Sequence, residues 1–179
     1  MAVLTKIETP LGTVIASSDG QSLTGLWFAG QKYECAFVEG PVWDDSLPLW
    51  KDVKQALDAY FQGVGDVTSS VPIVFVGGTA FQKAVWDVLT EIPYQIVWTY
   101  KDVAERVGKK LGRKTSSRAV GTAIGRNPIS LFVPCHRVVA TTGALTGYAG
   151  GVERKRALLT LEGHSVVKDR VMKGERHEA

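Results

Sequence analysis

"NPISLFVPCHRVVA", residues 127–140, decides how the rest of the chain is read. The run Ile129–Val133 has the apolar character of a buried strand, but Pro134 interrupts it and Cys135, His136 and Arg137 follow at once. Proline lacks the N–H that a strand ladder needs, so regular pairing ends there. A thiol, an imidazole and a guanidinium seldom share a core, and together they mark a chemical site at the end of a buried segment. The imidazole of His136 accepts a proton near neutral pH, and the charge of Arg137 favours thiolate at Cys135. Adjacent residues on an extended chain point to opposite sides, so His136 is expected to reach the sulfur through a water or after a turn of the chain. A third group must hold the imidazole, and Glu162 in "LEGH" is the candidate carboxylate. Cys35, inside "QKYECAFVEG", reads instead as an inert, small hydrophobe.

Upstream of this stretch the hydrophobic period is helical. "TAFQKAVWDVLTEIP" has Thr79 as N-cap, Phe81, Val85 and Leu89 in register, and Pro93 as terminator. "TYKDVAERVG" repeats the pattern in short form with Val103 and Val107, and "KKLGRK" behind it is too basic and too glycine-bearing for a core. "TSSRAVGTAIGRNP" then sets Val120, Ala123 and Ile124 on one stripe, with Arg118, Gly121 and Thr122 on the opposite face. Two short helices joined by a turn form a helix-turn-helix pattern, which by itself many non-binding helix pairs share. Downstream, the glycine-rich "TGALTGYAGG" leads into "VERKRALLTLEGH", a helix with Val152, Leu158 and Leu159 inward.

The N-terminal third follows a period of two. "VLTKIE", "GTVIASS" and "LTGLWFA" alternate between "TPLG" and "SDGQS", where Pro fixes φ, Gly permits positive φ and Asp closes an Asx-turn. An antiparallel meander is expected. "SLPLWKDVKQALDAYFQG" then places Leu49, Val53, Leu57 and Tyr60 on one helical face, with Ser46 as N-cap and Gly63 as stop. A strand-like "VPIVFVGG" follows, and Gly77-Gly78 is the natural linker. The fold class is α/β (α+β), with domains over 1–76 and 79–167 and a charged tail over 168–179 that frays.

A chain of 179 residues, 45% hydrophobic and 22% charged, buries its own core, which excludes disorder. The first residues carry charge and no leader-length apolar run, and no segment approaches the roughly 20 apolar residues that span a bilayer. The protein is expected to be soluble, intracellular and free of the membrane. Two cysteines a hundred positions apart give neither a disulfide framework nor a CxxC pair, and no metal or cofactor is expected. The net charge of +3 hides an asymmetry: residues 1–70 carry four Lys/Arg against nine Asp/Glu, and residues 71–179 carry seventeen against nine. The basic part suits a polyanion, nucleic acid first, or serves solubility alone.

Taken in order and at their spacings, "RAVGTAIGRNP", a short apolar run, "PCHRVV", "TGYAGG" and "LEGH" closely resemble the O6-alkylguanine-DNA alkyltransferases, the methylated-DNA–protein-cysteine methyltransferases. The match is specific over residues 79–164. Over 1–70 only the order of strands and helix, and "TPLG", agree with the family's ribonuclease-H-like domain.

The resemblance implies that Cys135 accepts an alkyl group from O6-alkylguanine, and by extension O4-alkylthymine, in double-stranded DNA. His136 withdraws the thiol proton through a water and Glu162 orients it. A thioether is a poor leaving group and no second nucleophile is at hand, so each molecule acts once. A base inside a duplex is out of reach and must be rotated into a pocket. The resemblance assigns Arg118 to the vacated space and Tyr100 to crowding the 3′ phosphate. Ala119, Gly121 and Thr122 suit a helix in the minor groove. Asn127 ties the helix end to the active-site strand, and Tyr148, Ala149 and Gly150 line a lid over the base. The carbonyls of Cys135 and Val138 accept from the guanine amino group. Between Tyr100 and Arg118 the chain is a few residues longer than the family spacing, and Lys109, Lys110, Arg113 and Lys114 in that excess are expected on phosphates. The protein is expected to be monomeric and cytoplasmic, nucleoid-associated in a bacterium.

Singly, Tyr100 and Tyr148 also suit the edge of a core, Asn127 a helix C-cap and Arg118 a solvated charge; their shared order favours the site. A non-catalytic damage-binding or regulatory helix-turn-helix protein is the alternative, and it has no use for Cys135. A cysteine hydrolase would need an oxyanion loop, which no motif here supplies.

Overall fold

The hairpin between β1 (Val3–Thr9) and β2 (Gly12–Ser18) closes where Thr9 Oγ1 donates to the Gly12 carbonyl at 2.7 Å. In this computed structural model, which describes residues 1–172, the chain forms two units. One comprises Met1–Gly78 with Pro128–Phe132, and the other Thr79–Asn127 with the chain from Val133 onward.

In the first unit, β3 (Leu23–Phe28) pairs antiparallel with β2, as the alternation predicts. A two-residue β4 (Val42–Trp43) adds to the outer side of β1 in parallel, so the sheet is mixed rather than purely antiparallel, in the order β3-β2-β1-β4. Gly25 is required here, because a Cβ on it would meet the Trp27 indole at 2.0 Å. Helix α1 (Leu49–Phe61) buries Leu49, Trp50, Val53, Leu57 and Tyr60. Its end is as expected: Gly63 at φ +75° donates to the Tyr60 carbonyl and Val64 to that of Ala59, the paired bonds of a Schellman motif. Its start is not. Pro48 holds the N-cap position and Ser46 instead donates its hydroxyl to Asp44 at 2.6 Å.

Two expected strands in this unit are absent. "VPIVFVGG" forms only an isolated bridge, Ile73 with Leu23, because Val74 and Val76 point outward and find no partner strand. The run 129–133 is buried throughout, yet Ile129 makes a single bridge with Leu26 and Leu131 takes φ +70°, which breaks extended pairing.

In the second unit α2 (Ala80–Leu89) opens on a capping box between Thr79 and Gln82. It ends at the Thr90 cap, a turn before Pro93, where the Thr90 hydroxyl takes the Asp87 carbonyl at 2.6 Å. The pair β5 (Trp98–Thr99) leads directly into α3 (Tyr100–Leu111), capped by Thr99 and Asp102. This helix runs past the expected Gly108: Lys109 and Lys110 occupy its last turn, where cations oppose the exposed carbonyls, and Gly112 at φ +68° stops it. The excess length therefore lengthens α3 as well as the turn. Gly108 lets that turn fold back, since a Cβ on it would sit 2.9 Å from the Arg113 carbonyl oxygen. Helix α4 (Ser117–Ile124) starts at Ser116, whose hydroxyl accepts from Ala119 N–H at 3.0 Å, and its stripe Val120, Ala123 and Ile124 is buried. Trp86 of α2 anchors it by donating to the Ala123 carbonyl at 2.9 Å.

The chain then makes a single 3-10 turn at Cys135–Arg137 and enters β6 (Val138–Val139), parallel to β5. Helix α5 (Val152–Leu161) follows the glycine-rich loop. Beyond it β7 (Val166–Val167) and β8 (Arg170–Val171) form a hairpin through Lys168 and Asp169, both at positive φ. Val171 is buried with Val97, Val139, Leu145 and Leu159, so residues 168–172 of the expected tail are packed rather than frayed. The remainder of that tail, 173–179, lies outside the described residues.

Candidate active site

Cys135 is buried, 7% exposed, at the first position of the 3-10 turn. This turn, rather than an extended chain, sets how His136 and Arg137 leave the backbone. The sulfur accepts from Asn127, three residues beyond α4, whose side-chain amide donates to Sγ at 3.1 Å and to the Val133 carbonyl at 2.9 Å. Burial pushes the Cys135 thiol above its ordinary value, and the Asn127 bond and then the Lys155 charge act against that rise.

His136 and Glu162 meet, Nε2 to Oε2 at 2.5 Å, with both side chains fully buried. Arg137 is turned to the same carboxylate, Nε donating to Oε1 at 2.8 Å, while Nη1 donates to the Ile92 carbonyl at 2.9 Å. Burial favours the neutral form of Glu162, but His136 and Arg137 outweigh it and hold the carboxyl well below its usual range. Burial also lowers His136, which is therefore neutral near pH 7 despite its acidic partner. An ionised carboxylate accepts only, so it fixes Nε2 as the protonated nitrogen and leaves Nδ1 as the basic one. The expectation that Arg137 supports the thiolate is corrected: its charge is used by Glu162.

The cation that does bear on the thiol is one that sequence reasoning missed. Lys155 is 1% exposed, and its Nζ donates to the Val138 carbonyl at 2.6 Å and to the Thr146 carbonyl at 3.0 Å. Burial brings its ammonium down from 10.5 to about 8, with Cys135 pulling the other way. A signal was available: Lys155 lies three residues after Val152 and three and four before Leu158 and Leu159, on the apolar face where a lysine must be accounted for.

The loop above these groups is tied to α3. Tyr100 donates its hydroxyl to the Thr146 carbonyl at 2.9 Å, and burial raises its own ionisation. Gly147, at φ +69°, passes so close that a Cβ there would be 3.3 Å from the Tyr100 hydroxyl. Tyr148 and Ala149 are half-buried and Gly150 is buried. The Gly150 carbonyl accepts from Arg154 at 3.1 Å and that of Tyr148 from Gly151 N–H at 3.0 Å. The Val138 carbonyl expected to meet a guanine amino group already carries Lys155 on one lone pair; the Cys135 carbonyl accepts from Val138 N–H.

On α4, Arg118, Ala119 and Thr122 are exposed in a row, and Thr122 returns its hydroxyl to the Arg118 carbonyl at 3.1 Å. Gly121 faces inward of that row: a Cβ on it would lie 3.6 Å from a Tyr100 ring carbon. Lys109, Arg113 and Lys114 are exposed and, with Lys101 and Ser117, line a cavity of about 520 Å³ beside the α3–α4 turn. Lys110 is set apart from them, paired with Asp87 at 3.4 Å.

Comparison with known proteins finds two family models along the chain. The "6-O-methylguanine DNA methyltransferase, ribonuclease-like domain" matches residues 3–75, and the "DNA binding domain" of the same name matches residues 80–164. A methylated-DNA–protein-cysteine methyltransferase of Haemophilus influenzae is 39% identical, covering 88% of this chain and 84% of its own. One of Mycobacterium leprae is also 39% identical, with 90% and 92% covered. The crystal structure of Mycobacterium tuberculosis OGT in complex with DNA superposes with a TM-score of 0.77 at 36% identity, covering 89% of this chain and 92% of that one.

Proposed function

The chain belongs to the methylated-DNA–protein-cysteine methyltransferase family, and on that premise we propose that Cys135 is its alkyl acceptor, used once, on guanines rotated out of DNA. The protein is an O6-methylguanine DNA methyltransferase of DNA repair. The observation that carries the assignment is the buried group in which Asn127 donates to the Cys135 sulfur while Glu162 orients His136.

The thiol proton passes through a water to the basic nitrogen of His136, and Glu162 stabilises the imidazolium so formed. Sγ then attacks the alkyl carbon in line. A C–S bond forms as the C–O6 bond breaks, and the departing electron pair stays on the guanine, which takes up a proton. The attacked carbon is saturated, so a polarisable nucleophile is needed and an oxyanion hole is not. Nothing regenerates the thiol from the thioether, hence one turnover.

DNA is bound by the unit that holds α4. Arg118 enters the space left by the base, Ala119, Gly121 and Thr122 lie along the minor groove, and Tyr100 crowds the 3′ phosphate. Tyr148, Ala149 and Gly150 cover the base, and Val138 accepts from it on the lone pair that Lys155 leaves. Lys109, Arg113 and Lys114, with Lys110 behind them, face phosphates. The small exposed residues of α4 and the basic lining beside its turn support this reading. Incubating the protein with an O6-methylguanine duplex and mapping peptides by mass tests it: a methyl group on Cys135, and none formed in Cys135→Ala that still binds the duplex, is the expected result. Methyl found on another side chain overturns it.

A further inference from the structure

We propose that the N-terminal unit holds a ligand site of its own: a cavity over the β1–β3 sheet that takes a free aminopurine base, a flat uncharged ring with acceptors on one edge and an amino group on the other. It lies within residues 1–77 and is independent of the role given to Cys135.

The cavity follows from the order of side chains on one face of the sheet. Register and alternation place Leu4, Lys6, Ile15, Ser17, Gly25 and Trp27 on that face. Cys35 and Val38, from the segment after β3, pack against Leu4, Ile15 and Trp27. Ser17 offers nothing apolar to cover. Gly25 across from it has no side chain, so the Trp27 indole lies over that glycine. The register shift at Ser17 and Ser18 brings Thr24 Oγ1 within 2.9 Å of Ser17 Oγ. A cavity of about 310 Å³ remains between these groups, Phe37 and Val38. This is the small end of the roughly 300–1,000 Å³ that ligand pockets span, room for about one fused ring system.

Three donors in the lining have no acceptor among the described residues. The Ser17–Thr24 pair has two O–H groups and one bond between them. Ser18 Oγ accepts from Gly20 N–H at 2.9 Å, and its own O–H goes to no described oxygen. The Trp27 indole N–H likewise donates to no described group. Ser17, Ser18 and Trp27 are at most 1% exposed and Thr24 is 5% exposed, and polar groups so placed normally have partners. The interior therefore suits acceptors. The rim differs: Asp19 and Glu39 are exposed carboxylates, and the lining has no lysine or arginine. Met1, 90% exposed, ion-pairs with neither among the described residues. Acceptors inward, an amino group outward and a π face against Trp27 and Phe37 make the pattern of an aminopurine, whereas a phosphate would meet two carboxylates.

The segment that covers the cavity is strained. Tyr33, Cys35 and Phe37 take φ of 63°, 56° and 68°, so alternate residues sit in the left-handed region although none is glycine. Strain of this kind gathers at ligand clamps, held by its surroundings. Phe37 presses on Gly77 so closely that a Cβ there would fall 2.4 Å from its ring, yet Phe37 stays 40% exposed on the cavity wall.

The test titrates the isotope-labelled full chain with 2-aminopurine and, separately, with unsubstituted purine. It reads the amide resonances of Ser17, Ser18 and Thr24 and the Trp27 indole N–H, alongside the amides of Tyr148 and Gly150. The first group is expected to shift along one saturating curve with 2-aminopurine, whether or not Tyr148 and Gly150 also move, and purine should bind there about tenfold more weakly. Asp19→Asn with Glu39→Ala, both on exposed residues, should narrow that preference to within about threefold. Ser18→Ala with Thr24→Val should weaken 2-aminopurine about tenfold at the first group. No shift in that group, shifts confined to Tyr148 and Gly150, or a preference untouched by the rim variant overturns the proposal. Should Ser18→Ala with Thr24→Val fail to fold, the wild-type and rim-variant titrations decide it. None of these readings involves alkyl transfer, so their failure is separable from failure of the acceptor assignment, which mass mapping decides.

Discussion

One side-chain amide joins the end of helix α4 to a buried thiol: Asn127 Nδ2 lies 3.1 Å from the Cys135 sulfur and 2.9 Å from the Val133 carbonyl. Asn127 is itself 5% exposed, and its backbone N–H donates to the Ile124 carbonyl, so its position is set by the last turn of α4. A sulfur that accepts from an amide is stabilised as the anion. Asn127→Ala removes that donor and one of the two bonds of the Val133 carbonyl, which keeps the Cys135 N–H at 2.8 Å. The expected outcome is a loss of about 1–3 kcal/mol in unfolding free energy and a Cys135 alkylation midpoint shifted to higher pH. Chemical denaturation and the iodoacetamide pH profile measure the two effects, and a variant that loses stability while keeping the wild-type midpoint would reduce Asn127 to a structural part.

Gly121 offers a distinction between two uses of a small residue on the helix proposed to meet DNA. Its missing side chain faces the Tyr100 ring at ordinary contact distance, 3.6 Å, so alanine fits without displacement. Alanine also removes the entropic penalty of glycine inside a helix, about 0.5–1 kcal/mol. Gly121→Ala is thus expected to melt at a slightly higher temperature and to hold duplex DNA within about twofold of wild type, whereas Gly121→Leu pushes Tyr100 aside and slows transfer from DNA. A tenfold loss of affinity in Gly121→Ala would mean that the groove, not Tyr100, dictates the glycine.

Local patterns carried most of the helices and the meander into view, because the periods of 2 and 3.6 are imposed by burial on one face. They failed where burial surrounds a segment. Residues 129–133 are apolar on all sides, and apolarity alone does not separate a strand from a buried irregular run with Leu131 at positive φ. The cap of α1 was misplaced since Ser46 had a nearer acceptor in Asp44. The meeting of His136 with Glu162 was legible from the order of their motifs, but the division of cations was not. Arg137, adjacent in sequence, serves Glu162, while Lys155, twenty positions away, reaches the Val138 and Thr146 carbonyls; only the 3-10 turn and the docking of α5 decide between them.

Glu162 contributes to the pH dependence of stability. Its folded-state carboxyl titrates well below the ordinary 4.5, held down by His136 and Arg137 against the effect of burial. The stability this confers is fully present above the unfolded value and is lost as pH falls toward the folded one. His136 acts in the same direction from a higher pH: its folded value lies below 6.5, so acid favours the unfolded, protonated imidazole. Glu162→Gln leaves Arg137 buried without its carboxylate, a change of about 3–5 kcal/mol at neutral pH. It should also flatten the fall of melting temperature between pH 5 and pH 3. Parallel wild-type and variant curves across that range would remove Glu162 from the acid response.

The basic turn tests how far the α3 extension contributes to DNA affinity. Lys109, Arg113 and Lys114 are exposed around one cavity, with Arg113 stacked 5.7 Å over Phe81, whereas Lys110 is half-committed to Asp87. Each phosphate neutralised by a cation releases condensed counterions and adds about 0.9 to the slope of log affinity against log salt. Replacing Lys109, Arg113 and Lys114 together by alanine should therefore lower the slope by up to about three, with sequence-independent loss of affinity greatest at low salt. Lys110→Ala alone should change it least, since part of that charge is already balanced within the protein. The alkyl-transfer rate at saturating duplex should stay near wild type, as none of these side chains reaches the Cys135 group. Titrations of a fluorescent duplex at several salt concentrations give the slope directly, and a slope unchanged in the triple variant would show that the longer turn stands clear of the DNA.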